Sequence, residues 1–183
     1  IKSVNRAGLD VVDIILQPLA SSEAVLSAEE RELGVAMVDL GGGTTDLAIF
    51  LDGSIRHTAV LPIGGQNLTK DLAIGLLTSQ TDAEKIKVQH GIARTELVHG
   101  HQMVEVPSVG DRPPRQFTRR DIAEILEPRV EEMFDLVKRE IVRAGYEGML
   151  GAGVVITGGT SLLEGMPDAA ERGLNLPARR GMP

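Results

Sequence analysis

The sequence contains no cysteine and no tryptophan, and only 2% of its 183 residues are aromatic. Without cysteine, disulfide bonds and thiolate metal sites are excluded, and a reducing compartment such as the cytoplasm is the simplest setting. The hydrophobic content of 42% must therefore form an aliphatic core. No apolar run approaches the ~20 residues that cross a bilayer. The net charge of −7 also argues against broad nucleic-acid binding, for which a basic surface is expected.

Glycine, in contrast, is abundant, and three consecutive glycines form the turn of a predicted hairpin between two apolar runs. Runs rich in valine, isoleucine and phenylalanine predict buried strands. The backbone amides of Gly41–Gly43 are not shielded by side chains, and such a row of amides can cradle an anion such as phosphate. Thr44 and Thr45 add hydroxyl groups, while Asp39 and Asp46 add carboxylates that could order water or a divalent cation. For this segment alone, a glycine hairpin without a ligand is an equally good interpretation.

Periodicity and turn signals along the chain predict an alternation of strands and helices. The predicted strands cover residues 9–16, 34–40, 47–50, 54–63, 96–98, 103–106, 153–157 and 178–180. The predicted helices cover residues 1–7, 19–28, 66–77, 82–90, 118–127 and 129–144, with another from about 162. Residues 29–32 are predicted to be a solvated connection. Thr81 and Glu84 are predicted to form a capping box, and Pro128 to kink or restart its helix.

Two further features resemble parts of a binding site. Thr157-Gly158-Gly159-Thr160-Ser161 follows a predicted strand, and Glu84 and Lys87 lie one helical turn apart on the same face. Alone, the first is usually a plain turn and the second a solvated ion pair. In this order with the glycine hairpin, they resemble the second half of the actin and heat-shock-chaperone ATPase fold. The hairpin resembles the second phosphate loop of that superfamily, and residues 157–161 resemble its adenosine loop.

Longer segments carry a closer resemblance. They are Glu32–Val35, Arg56–Thr58, Ile86–Gly91, Val104–Gly110, Arg112–Arg115 and Ile125–Arg129. These segments resemble the FtsA family of actin-related bacterial cell-division proteins, and the resemblance covers nearly the whole chain. It implies an α/β fold that forms the second lobe of an actin-like (ribonuclease H-like) ATPase domain with an inserted smaller α+β subdomain. Residues 1–64 and 146–183 would form subdomain 2A, and residues 65–145 subdomain 2B.

The resemblance also implies ATP and Mg²⁺ as ligands, held between two half-clefts of which this chain supplies one. Gly41, Gly42 and Gly43, with Thr44 and Thr45, would contact the β- and γ-phosphates. Asp39 would act on Mg²⁺ through water, since this ion keeps several of its waters. The chain alone is expected to be inactive and the family at most a weak ATPase, because groups for phosphoryl transfer come partly from the other half.

At the nucleoside, the resemblance implies contacts from two segments. Gly158 and Gly159, with Thr160, would let the backbone approach it closely. Glu84 would accept hydrogen bonds from the ribose, and Lys87 would lie along the base. An actin-superfamily sugar kinase or another ATP-dependent enzyme is the alternative, and an interaction module that has lost its nucleotide is a third possibility.

Partners are likewise implied by the resemblance alone. Arg129 and Glu132 match positions implicated in binding the C-terminal tail of FtsZ, the tubulin-like ring protein. Arg112 and Arg115 lie in a loop expected to contact neighbouring copies in filaments. The family would link the FtsZ ring to the cytoplasmic face of the inner membrane at the division site, through a segment outside this sequence, and would recruit later division proteins. Considered alone, the arginines are solvated surface residues.

Overall fold

A computed structural model describes residues 1–110 and 112–182. The strands are β1 (Val35–Leu40), β2 (Thr45–Leu51), β3 (Ser54–Leu61), β4 (Met103–Val106), β5 (Arg115–Thr118), β6 (Val154–Thr157) and β7 (Ala178–Arg180). The helices are α1 (Lys2–Arg6), α2 (Gln17–Val25), α3 (Ala28–Leu33), α4 (Gly65–Gly75), α5 (Gln80–His90), α6 (Arg119–Arg143) and α7 (Met166–Leu174). Single 3₁₀ turns lie at Thr95–Leu97 and Gly159–Leu162.

The main sheet has five strands in the order β3-β2-β1-β6-β7. β1 to β3 form an antiparallel meander, whereas β6 and β7 run parallel to β1. At the carboxyl end of β1, Asp39 is opposite Asp46 of β2 on one side and Thr157 of β6 on the other. The sheet therefore brings the two glycine motifs of the sequence together at the carboxyl ends of β1 and β6. Open α/β sheets bind ligands at the carboxyl ends of their strands.

Aliphatic side chains cover both faces of the central strand. Side chains alternate between the faces of a strand, so Ala36, Val38 and Leu40 enter the larger core with α4, α6 and α7. Val35 and Met37 enter a smaller core on the other face. Residues from both predicted subdomain ranges contribute to the larger core. The division into residues 1–64 with 146–183 and residues 65–145 remains a prediction.

Most predicted elements are present. The structure confirms the glycine hairpin, the third strand of the meander, the helix after Gly64-Gly65 and the strands at 103–106, 153–157 and 178–180. Thr118 caps α6 as predicted, because its hydroxyl accepts from the Asp121 amide at 3.1 Å. The sequence signals for these elements are strong, and in the fold their apolar faces pack into the core as the hydrophobic pattern predicts.

The predicted strand at residues 9–16 is wrong. This segment runs without β pairing, and all its apolar side chains except the half-buried Val11 are exposed, with Val12 98% exposed. A strand needs a neighbour for its backbone groups, and β3 and β7 form the edges of the main sheet. The apolar, β-branched composition alone therefore does not create a strand here.

Local predictions also failed at two helix starts. Residues 29–32 are helical rather than a connection, since Ser27 and Glu30 form a capping box that starts α3. Ser79, not Thr81, caps α5, and its hydroxyl accepts from the Asp82 amide at 3.1 Å. Glu84 is thus not a capping residue and is available for another role.

Two other predictions concern residues in the 95–143 range. The predicted strand at 96–98 is instead a 3₁₀ turn. Pro128 does not divide its helix, because α6 is continuous from Arg119 to Arg143. Buried side chains before and after the proline, including Leu126 and Val130, pack into the same core and offset the lost backbone hydrogen bond.

Candidate functional site

Three glycine turns from distant parts of the chain meet at the carboxyl end of β1. The Gly65 amide at the start of α4 donates to the Gly41 carbonyl at 2.9 Å, and the Gln66 amide donates to the Gly42 carbonyl at 2.8 Å. The Thr160 hydroxyl also donates to the Gly41 carbonyl, at 2.9 Å. The start of α4 therefore holds the hairpin turn from one side, and the turn after β6 holds it from the other.

Glycine is required where these turns touch. A Cβ atom at Gly64 would lie 2.6 Å from the Gly42 carbonyl oxygen, and one at Gly65 would lie 2.4 Å from the Thr160 hydroxyl oxygen. At Gly158 a Cβ atom would lie 2.3 Å from Asp39 Oδ1, and the residue also has a left-handed φ of +84°. Any side chain at these positions would push the turns apart.

Other glycines of the same turns border open space. A Cβ atom at Gly43 or Gly159 would meet no heavy atom within 4 Å. The Gly41 amide is used within the turn, where it donates to the Thr44 carbonyl at 2.9 Å. Within residues 1–110 and 112–182, the amides of Gly42 and Gly43 donate to no protein acceptor. These two amides are therefore the part of the predicted anion cradle that is free to bind.

The polar side chains around the hairpin have different surroundings. The Thr44 side chain is exposed and donates to Asp46 Oδ2 at 3.2 Å. Thr45 is buried instead, and its hydroxyl donates to the Ile63 carbonyl at 2.8 Å, so this hydroxyl stabilises the fold. Asp39 Oδ2 accepts from the Gln17 amide group at 3.2 Å.

A metal ion would find few protein ligands here. No cluster of three or more potential ligand side chains occurs in the part of the chain that the structure describes. Asp39, at the end of β1, lies opposite Asp46 of β2, so two carboxylates at most are near the turn. This arrangement fits an ion such as Mg²⁺ that keeps most of its waters and binds through phosphate, rather than a site enclosed by protein.

A cavity of about 690 Å³ lies between the hairpin turn, α4, α5 and the turn after β6. Its volume is within the range of sites for small molecules and cofactors. Its lining brings together Gly42, Gly65, Glu84, Lys87, Gly159 and Thr160. Most of the predicted nucleotide-site residues thus line one cavity or the turns that border it.

Glu84 and Lys87 form one polar network on this cavity. Lys87 Nζ lies 2.8 Å from Glu84 Oε2 and 3.0 Å from the Gly65 carbonyl oxygen. Partial burial raises the pKa of Glu84, but hydrogen bonds from Lys87 and Thr69 outweigh it and leave the pKa below its ordinary value. The carboxylate is therefore ionised near neutral pH and can accept a hydrogen bond from a ligand.

Sequence reasoning missed the opposite wall of the cavity. There Arg119 donates to the His90 carbonyl at 3.0 Å and pairs with Glu164. The exposed apolar side chains of Val88 and Leu162 also line the cavity. Arg119 opens α6 as an ordinary helix residue, and no local pattern indicates that its partner would lie 45 residues later.

The predicted partner residues lie apart from this cavity. Arg129 pairs with Asp71 of α4 through two hydrogen bonds, of 2.6 Å from Nε and 3.1 Å from Nη2, and it also pairs with Glu132. The hydrogen bond to Asp71 is the main cause of a raised pKa at Arg129. We call Asp71, Arg129 and Glu132 the Arg129 surface. Its guanidinium group is already bound to carboxylates of the same chain.

Arg112 and Arg115 border a second cavity of about 650 Å³, beside the carboxyl end of α4. Arg115 donates to the carbonyls of Leu76 and Leu77, and its guanidinium lies 5.3 Å from the centre of the Phe117 ring. It therefore caps α4.

No helix in the described part of the chain is both long and apolar enough to traverse a lipid bilayer.

Comparison with known proteins identifies the family. Residues 36–183 match the family model described as cell division protein FtsA. The chain is 51% identical over 182 residues to cell division protein FtsA of Pseudomonas aeruginosa, covering 100% of this chain but only 44% of that protein. The chain therefore spans less than half the length of this relative.

Solved structures show the fold. MreB5 of Spiroplasma citri bound to ADP has a TM-score of 0.81 at 21% identity, with 99% of this chain and 59% of that chain covered. A MamK double helical filament has a TM-score of 0.65 at 17% identity, with 81% of this chain and 50% of that chain covered. At these identities the likeness establishes an actin-like fold and nothing further. With the family match, the chain belongs to the FtsA family of cell-division proteins.

Proposed function

We propose that this chain forms one wall of an ATP site in an actin-like cell-division protein. The observation that carries the proposal is the meeting of three glycine turns around one cavity. The free amides of Gly42 and Gly43, with the Thr44 hydroxyl, would bind the β- and γ-phosphates. Gly41 and Thr45 would hold the turn in shape, because their hydrogen-bonding groups are used within the protein.

The remaining contacts follow from the cavity lining. Gly159 and Thr160 would lie along the nucleoside, and Glu84 would accept from the ribose. Gly158, predicted to lie there too, would hold their turn against the end of β1. Asp39 would hold Mg²⁺ through water. The binding of ADP by the structurally similar MreB5 supports a nucleotide as the ligand. Catalysis would be at most weak ATP hydrolysis, with groups supplied by the other half of the protein.

In the whole protein, we propose that this unit helps to link the FtsZ ring to the cytoplasmic face of the inner membrane. Arg129 and Glu132 would bind the FtsZ tail, and self-association into filaments would bring copies together. Membership of a cell-division family supports the first role, and the likeness to a filament of MamK supports the second. Recruitment of later division proteins and membrane contact would involve segments outside this chain.

Titration of the full-length protein with a fluorescent ATP analogue tests the nucleotide site. We expect saturable binding that depends on Mg²⁺. The variant Gly159→Val should weaken it by roughly tenfold or more, because its side chain enters open cavity space that a nucleoside would fill. Its thermal unfolding should stay close to that of the wild type, since the added Cβ meets no heavy atom within 4 Å.

Thr58→Val is a matched control, because it adds the same side chain at an exposed position of β3 outside the cavity. It should leave analogue binding unchanged. If the wild-type protein shows no saturable, Mg²⁺-dependent signal, the proposal is wrong and the chain is an interaction module without nucleotide. Equal binding by the wild type and Gly159→Val would place the nucleotide elsewhere.

A further inference from the structure

The Thr69 hydroxyl lies at the centre of the polar network beside the cavity. Thr69 belongs to α4, and only 6% of its surface is exposed. Its Oγ1 atom is 2.9 Å from Lys87 Nζ and 3.1 Å from the Gly65 carbonyl oxygen, and it donates to Glu84 Oε2. The residue therefore joins the helix that starts at the phosphate turn to the helix that carries the proposed ribose contact.

Lys87 has no hydrogen-bond donor left for a ligand. An ammonium group has three donors and no acceptor. Nζ has three acceptors within reach: the Gly65 carbonyl at 3.0 Å, Thr69 Oγ1 at 2.9 Å and Glu84 Oε2 at 2.8 Å. Its side chain is also only 11% exposed. The Lys87 ammonium thus acts on a ligand through Gly65, Thr69 and Glu84, while its side chain still lines the cavity.

The single proton of Thr69 can also be assigned. The hydroxyl oxygen accepts from Lys87, so its proton is free to go to Gly65 or Glu84. A hydrogen bond to a carboxylate is stronger than one to a neutral carbonyl, and the Gly65 carbonyl already accepts a hydrogen bond from Lys87. Thr69 therefore donates to Glu84.

Glu84 is consequently held by one oxygen only. Oε2 receives hydrogen bonds from both Thr69 and Lys87. Oε1 has no hydrogen-bond donor within the described residues, and the Glu84 side chain is 50% exposed. The carboxylate of this cavity-lining residue thus has a fixed orientation and one free oxygen, which is the arrangement that a preorganised acceptor requires.

We propose that Thr69 is a positioning residue that makes the site select ribonucleotides over nucleotides without ribose hydroxyls. It acts by fixing the Glu84 carboxylate, together with Lys87, so that Oε1 accepts from a ribose hydroxyl. This inference rests on the nucleotide site proposed above. The same Lys87 ammonium holds the Gly65 carbonyl, and the Gly65 amide holds the Gly41 carbonyl, so the ribose acceptor is fixed relative to the phosphate turn.

The test compares dissociation constants for ATP and 2′,3′-dideoxy-ATP on the full-length protein. The wild type should prefer ATP by roughly tenfold, since an unmet acceptor in the site penalises the deoxy analogue. Thr69→Val, which keeps the shape and removes the hydroxyl, should reduce this preference to about twofold or less while changing the dideoxy affinity little. Thr69→Ser keeps the hydroxyl and should restore the preference.

A double-mutant cycle with Thr69→Ala and Glu84→Gln keeps the test decisive if the valine variant does not fold. If Thr69 acts through Glu84, each single variant should lose the ribose preference and the double variant should lose no more. Additive losses, or an equal loss of both nucleotides in the Thr69 variants, would overturn the positioning role. Equal binding of ATP and the dideoxy analogue by the wild type would overturn it while leaving the nucleotide site intact. Absence of all nucleotide binding would instead defeat the proposed function.

Discussion

The wall of the cavity and the Arg129 surface use different kinds of contact. At the cavity, backbone groups and glycines from distant segments fix the turns, and the Gly42 and Gly43 amides have no protein acceptor in the described residues. At the Arg129 surface, charged side chains of α4 and α6 satisfy one another. The first region thus has backbone donors that are free for a ligand, whereas a ligand of the second must displace or share an existing partner.

The largest expected effect is on folding, at Gly158. Gly158→Ala should lower the free energy of unfolding of the full-length protein by about 2–4 kcal/mol, because the new Cβ combines a left-handed φ with a clash against Asp39. The adjacent variant Gly159→Ala should change it by less than about 0.5 kcal/mol, as its Cβ meets open space. Urea denaturation of both variants measures the difference. Similar stabilities would show that the turn after β6 is not held tightly against β1.

The next effect concerns partner binding at Arg129. Arg129→Ala should weaken binding of an FtsZ tail peptide to the full-length protein by about 1–3 kcal/mol, since an arginine in an interface often carries much of the binding energy. Calorimetric titration of the peptide measures it. Arg120→Ala is the control, because it removes an arginine of the same helix whose ion pair, with Glu124, is more exposed and lies outside the Arg129 surface. An unchanged affinity in Arg129→Ala would remove the Arg129 surface from the proposed FtsZ site.

Asp71 is the carboxylate that a ligand of the Arg129 surface would have to displace or share. Asp71 and an acidic group of the peptide would compete for one guanidinium, so Asp71→Asn should tighten peptide binding by about 0.5–1 kcal/mol. The same titration gives the answer. Weaker binding would mean that Asp71 instead orients Arg129 for its partner, and the Arg129 surface would then be prepared in advance like the cavity.

The sequence predicted the cavity wall better than its surroundings. The glycine hairpin and the Gly158-Gly159 turn have local signals strong enough to define the ends of two strands, and a parallel sheet then places these ends together. Residues 9–16 have an equally strong strand composition, yet no neighbour pairs with them. Local composition thus indicates which secondary structure a segment favours, and pairing with a neighbouring strand decides whether a strand forms.

Contacts between side chains of distant segments could not be predicted. Thr69 follows the pattern of an ordinary helix residue, and its role depends on how α4 packs against α5. Asp71 and Arg129 are 58 residues apart, and a match of residue types gives no indication that they pair. The capping box of Ser27 and Glu30, in contrast, has a local sequence signal, a serine followed three residues later by a glutamate, and can be predicted.

The smallest expected effect is a pH-dependent contribution of Glu140 to the free energy of unfolding. Arg143, followed by His57, donates hydrogen bonds to the buried Glu140 carboxylate and holds its pKa below the ordinary value. The unfolded chain therefore binds a proton more readily, so this stabilisation is present above the ordinary glutamate range and disappears as pH falls through the lowered pKa. Glu140→Gln should cost below about 1 kcal/mol at pH 7, and the difference from the wild type should vanish in acid.

Urea denaturation of the wild type and Glu140→Gln across this pH range measures the effect. Gly158→Ala is the matched control, because its left-handed φ and its clash with the Leu40 carbonyl, 2.7 Å from the new Cβ, involve the backbone and should give a penalty that depends far less on pH. A Glu140→Gln difference that stays constant down to acid pH would show that the carboxylate is held by shape rather than charge. The Glu140 side chain would then resemble the cavity wall, where backbone hydrogen bonds rather than ion pairs fix the turns.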